Sequence, residues 1–140
     1  MNAGRLSWLG PATLVGAIYL VVNLGSGELA AAATSHRMVL VWRWLAFIAS
    51  GVAFLVHIAY EHFRLRGEAR TTAWHTSVAV ALGGFGLALA ANIHDLGTTS
   101  GYRPRMAVAL VAWPLLTAGP AFLAAFLIAA GLDARRVHEG

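Results

Sequence analysis

Apolar residues gather into four long runs, at about 9 to 30, 39 to 60, 73 to 93 and 106 to 132, and charged or turn-forming residues gather between them. Each run reaches the roughly 20 residues that a helix needs to cross a hydrocarbon core of about 30 Å. In lipid a backbone must pair its own N–H and C=O groups, and runs of this length are too long for barrel strands, so they read as transmembrane helices. The connections are short, about eight residues at 31 to 38 and twelve each at 61 to 72 and 94 to 105. Short connections make sequential helices antiparallel neighbours. The expectation is an all-α integral membrane protein, an up-down four-helix bundle forming one membrane domain over residues 1 to 140.

The pattern is written twice. Arg37-Met38 recurs 68 residues later as Arg105-Met106, and the copies stay in register through Gly51/Gly119, Ala53/Ala121, Phe54/Phe122 and Leu55/Leu123. Two tandem two-helix repeats, about 9 to 66 and 73 to 135, account for this. The copies differ in their polar positions: Arg43, Ser50 and His57 in the first stand where the second has Val111, Ala118 and Ala125. What the copies share is packing, so chemistry is expected on the first.

The second run carries its polar residues in order. His36, Arg43, Ser50, His57 and Arg64 recur every seven residues, close to two helical turns, which puts them on one slowly drifting stripe. Glu61 lies one turn beyond His57 on that face. A charge such as Arg43 is costly at membrane depth unless it meets protein, water or a counter-charge, so the stripe should face inward. In the first run Tyr19, Asn23 and Ser26 form a further polar row at helical spacing. In the third, His75 falls at the depth of His57 if the second and third helices pair tightly. Small residues at Gly16, Ala79, Gly83, Gly84, Gly86, Gly119 and the Ala121, Ala125, Ala129 row are expected at close helix contacts. Pro114 and Pro120 predict an irregularity in the fourth helix.

Composition supports the membrane assignment: 59% of residues are hydrophobic and 11% charged, against about a quarter charged in soluble domains. There is no cysteine, which excludes disulfides, thiolate metal sites and thiol catalysis. All ten cationic residues are arginine, and they sit mostly at helix ends. A pI near 10.7 therefore points to lipid headgroups and topology rather than nucleic acid. Arg5, Arg64, Arg66, Arg70, Arg135 and Arg136 on one side outnumber Arg37, Arg103 and Arg105 on the other, which predicts cytoplasmic N and C termini in a bacterial inner membrane. Trp8, Trp42, Trp44, Trp74 and Tyr102 read as interface anchors. The first run is longer than a signal-peptide core and is expected to be retained as a helix.

Four readings compete for His57, Glu61, His62 and His75. The leading one is a small electron-transfer subunit that binds haem b or quinone between helices two and three. His57 and His75 would be the axial ligands, with Arg43 and Ser50 contacting the cofactor and Glu61 acting as proton partner. A second is a metal site of His57, Glu61 and His75. A third is a proton or ion pathway, or small transporter, along the Arg43-Ser50-His57 stripe, because buried titratable groups relay protons. The fourth is a structural polar network in a non-catalytic accessory subunit, with His62 and His138 wetted at loop ends.

At the other membrane face, Glu28, His36, Arg37, His94, Asp95 and Arg103 read as a surface charge group. His36 and His57 are 21 residues apart, about 31 Å along a helix, so a second haem at the outer end would lie among headgroups. No phosphate-binding loop, nucleophile elbow or zinc-protease helix motif is present, and the chain is not expected to be an enzyme on its own. Its expected partners are the bilayer and either other membrane subunits or further copies of itself.

Overall fold

The computed structural model describes residues 8 to 65, 68 to 97 and 104 to 138. It is all-helical: α1 Leu9–Ala31, α2 His36–Ala59, a π-helical turn Tyr60–Arg64 continuing α2, α3 Ala69–Leu96 and α4 Pro104–His138. All four helices are long and apolar enough to cross a membrane. They overrun the apolar runs at several ends, because a helix continues into the headgroup layer wherever its ends can be capped. Pro11 lies in the first turn of α1, where its missing N–H costs nothing. Ser35 caps α2, its hydroxyl accepting from the Met38 amide at 3.3 Å. The expected loop at 61 to 72 is much shorter than twelve residues, since helix extends to Arg64 and resumes at Ala69.

The packing order differs from the chain order. α3 packs most extensively against α4, and α1 packs against both α2 and α3, whereas α2 touches α3 and α4 only lightly. The sequence had predicted helices two and three as tight neighbours. Glycine decides otherwise. A Cβ on Gly16 would come within 3.0 Å of the Ala79 carbonyl oxygen, and one on Gly83 within 2.6 Å of the Tyr19 ring. The α1 and α3 backbones therefore approach more closely than any larger residue permits. Gly16 meets Ala79 and Gly83 while Leu20 meets Gly86, so the two helices run in the same direction. With α1 occupying that face of α3, α2 is held off.

α3 and α4 are locked by polar contacts as well. The Asn92 amide donates to the carbonyls of Ala88 and Met106, each at 2.8 Å. α4 continues through Pro114 and Pro120, and the Thr117 hydroxyl donates to the carbonyls of Trp113 and Pro114 at 2.9 and 3.1 Å. A small apolar core of Ile58, Ala73 and Ala125, flanked by Phe54 and Phe122, pins the lower end of α2 to α3 and α4. The upper end of α2 leans on α1. Gly119 does not belong to a tight contact, since a Cβ there would meet nothing within 4 Å.

Gly83→Val is expected to lower stability in detergent by about 1–3 kcal/mol through overpacking against Tyr19, whereas Gly119→Ala leaves it unchanged or slightly raised. Thermal unfolding of the two variants side by side measures the difference.

Candidate functional site

The α2 stripe passes through two environments. Its upper part lines a crevice of about 690 Å³ between α1 and α2, whose wall includes Tyr19, Asn23, Ser26, Arg43, Ser50 and Phe54 and which reaches Val80 on α3 and Ala121 on α4. The Asn23 amide donates to the Tyr19 carbonyl at 2.8 Å and to the Ser50 hydroxyl at 3.1 Å, tying α1 to α2. Arg43 faces this space and is exposed. It makes neither of the two ion pairs found among the described residues. The inward turn expected of the stripe is thus met by a cleft rather than by a partner side chain.

One turn below Phe54 the stripe becomes buried. His57 is 2% exposed and Glu61 is 1% exposed. Glu61 Oε2 lies 2.9 Å from His75 Nδ1, and His57 is within electrostatic range of both. Of the sequence-predicted trio, Glu61 and His75 are paired directly, and His57 is buried one turn before Glu61 on the same stretch of helix. The other face of the His75 ring stacks on Trp8, centroids 4.2 Å apart and planes 3° apart, so the start of α1 closes the cluster. Trp8 had read only as an interface anchor; no sequence signal marks a stacking partner that lies on a different helix.

His62 corrects a second expectation. Rather than being wetted at a loop end, it is fully buried, with Nε2 3.7 Å from Asp133 Oδ1 on α4. The cause is the π turn: its wider winding lets two consecutive side chains both point inward, Glu61 toward α3 and His62 toward α4. Turns of this kind recur at functional positions. Thr72 and Thr76, one turn apart on α3, are also fully buried. Buried side-chain atoms without a hydrogen-bond partner gather in this one region: His57 Nε2, Glu61 Oε1, both nitrogens of His62, and the hydroxyls of Thr72 and Thr76. More than about nine in ten buried polar groups are normally paired, so this concentration of unpaired atoms among the described residues is unusual.

Crevice and cluster are distinct. Arg43 and His57 are 14 residues apart, about 21 Å along the helix, so a group held between His57 and His75 is far from Arg43. Among the described residues no three His, Asp or Glu side chains are grouped to hold a metal ion. His75 uses Nδ1 toward Glu61, and the buried His57 Nε2 has no hydrogen-bond partner among the described residues. The crevice, where there is room for a ligand, opens on Arg43 and Ser50 and on neither of these histidines.

At the other end Glu28, His36, Arg37 and His94 are exposed and form no ion pair with one another. The Asp95 side chain and Arg103 lie outside the described residues, as do Arg5, Arg66 and the His138 side chain.

Glu61→Ala is expected to destabilise the protein by about 1–3 kcal/mol, because it leaves His75 Nδ1 without its acceptor in a buried site. Glu28→Ala, at an exposed and unpaired carboxylate, should stay within about 0.5 kcal/mol of the parent. Unfolding midpoints in one detergent compare them. Against known protein families, curated proteins and solved structures alike, the chain shows no match.

Proposed function

We propose that this is a small bacterial inner-membrane protein, an up-down bundle of two tandem two-helix repeats with cytoplasmic termini, that moves protons along the Arg43-Ser50-His57 stripe, alone or together with a solute. The observation that carries this reading is the position of the unpaired buried atoms. They cluster around His57, Glu61, His62, Thr72 and Thr76, directly below the floor of a crevice lined by Arg43 and Ser50 of the same stripe. Histidine gains and loses a proton near neutral pH, and buried waters bridge such orphaned groups. The cleft on one side and the acid–base cluster on the other supply the two halves of a route across the bilayer. By the arginine bias the crevice opens outward and the cluster lies on the cytoplasmic side.

Within this route each residue has a defined task. His57 passes the proton between the crevice floor and Glu61, and Glu61 shares it with His75. Trp8 shields the His75 face, so the relay stays ordered, and Thr72 and Thr76 anchor bridging water. Arg43 repels free cations at the crevice and holds an anion there.

One feature favours electron transfer as a second reading. A histidine that gives Nδ1 to a carboxylate is oriented to ligate through Nε2; His75 gives Nδ1 to Glu61, and His57 Nε2 has no hydrogen-bond partner among the described residues. Haem b would need those two nitrogens on opposite faces of a macrocycle, whereas a quinone would use the crevice. In that arrangement the protein acts as a subunit beside a membrane redox partner.

In proteoliposomes of synthetic lipid carrying a pH-sensitive dye, the protein should collapse an imposed proton gradient. His57→Ala should slow the collapse about 10²-fold, the scale of a lost acid–base group. A flux equal to that of empty liposomes sinks the proton reading. A Soret band in protein made with ample haem, lost in both His57→Ala and His75→Ala, replaces it with the redox reading.

A further inference from the structure

The crevice itself calls for an occupant. Arg43 is the one charged side chain on its wall, it lies within the membrane-spanning helix, and neither ion pair of the described residues involves it. A guanidinium within a membrane-spanning helix is favoured by a counter-charge, and none of the ion pairs of the described residues supplies one. The remaining wall is largely apolar, with Val39, Ala46, Phe47, Phe54 and Val80 prominent. The Ser50 hydroxyl on this wall accepts from the Asn23 amide at 3.1 Å. A volume of about 690 Å³ is of ligand size, within the range of about 300–1,000 Å³ for small-molecule sites.

We infer that the crevice binds a single-chain amphiphilic carboxylate, its two oxygens held by Arg43 and its hydrocarbon chain laid along the apolar wall toward Phe54. The planar fork of a guanidinium matches a carboxylate bidentately. Here the pairing is made in a cleft bounded by apolar side chains and lipid, where charge-assisted bonds are strongest. The walls permit it: side chains added at Gly27 or Gly51, both on the crevice, would meet nothing within 4 Å, so no protein packing fills that space. This goes beyond the proton reading and stands without it, because binding needs no gradient.

The test uses the full chain in a neutral detergent, with radiolabelled palmitate and hexadecanol compared by scintillation proximity. Palmitate should bind at one per chain and about 10- to 100-fold more tightly than hexadecanol, the range expected for one charge-assisted pair. Arg43→Gln should bring palmitate down to the alcohol's level, and Arg43→Lys should fall between. Gly51→Leu fills the cleft without touching the backbone packing and should abolish binding of both probes, while Leu127→Ala on the lipid-facing side of α4 leaves both unchanged. Equal binding of palmitate and hexadecanol, or undiminished palmitate binding in Arg43→Gln, overturns the proposal. Displacement of palmitate by equimolar phosphatidylglycerol also overturns it, in favour of a phospholipid.

Discussion

The contact between α1 and α3 determines the rest. Lipid gives helices no hydrophobic reason to associate, so they associate where backbones come close, and here Gly16 and Gly83 set the closest approach. Once α1 fills that face of α3, α2 cannot take it. α2 is fastened by Ile58 and Phe54 at its lower end and by Asn23–Ser50 in the middle, and at its upper end it stands against α1 alone. The crevice is the space this leaves. The buried cluster is its opposite: where α2 does reach α3 and α4, its polar residues are sealed in.

The two helix pairs consequently do different work. α3 and α4 are joined along their length and by the Asn92 bridge. Across α1 and α2 the contact is thinner and the polar groups are concentrated. Val111, Ala118 and Ala125 stand 68 residues after Arg43, Ser50 and His57, and Ala125 is fully buried in the small core beside Ile58, a place where a histidine would not fit. The α3–α4 pair packs along its length, and the α1–α2 pair leaves the crevice open.

Much of this was legible in the residues. Four apolar runs of bilayer length define four helices, and a seven-residue spacing puts Arg43, Ser50 and His57 on one stripe. The depth argument that set His75 beside His57 gave a useful juxtaposition, although the helices pair less closely than it assumed. The rest was hidden for identifiable reasons. The π turn breaks the helical register at Tyr60, so the burial of His62 and its approach to Asp133 cannot be read from a period of 3.6. The stacking of Trp8 on His75 joins residues 67 positions apart, across a contact between α1 and α3 that loop lengths do not predict. Glycines at 83, 84 and 86 signalled a close approach, but not which helix would use it.

The central place of α3 bears on how the chain comes together. Synthesis proceeds from the N-terminus, so α1 and α2 are made before α3, which packs against α1. Until α3 emerges, the groove around Gly16 faces acyl chains and Trp8 has no imidazole to cover. The arrival of the third helix completes the α1 contact and brings His75 to Glu61. Assembly and formation of the site are the same event.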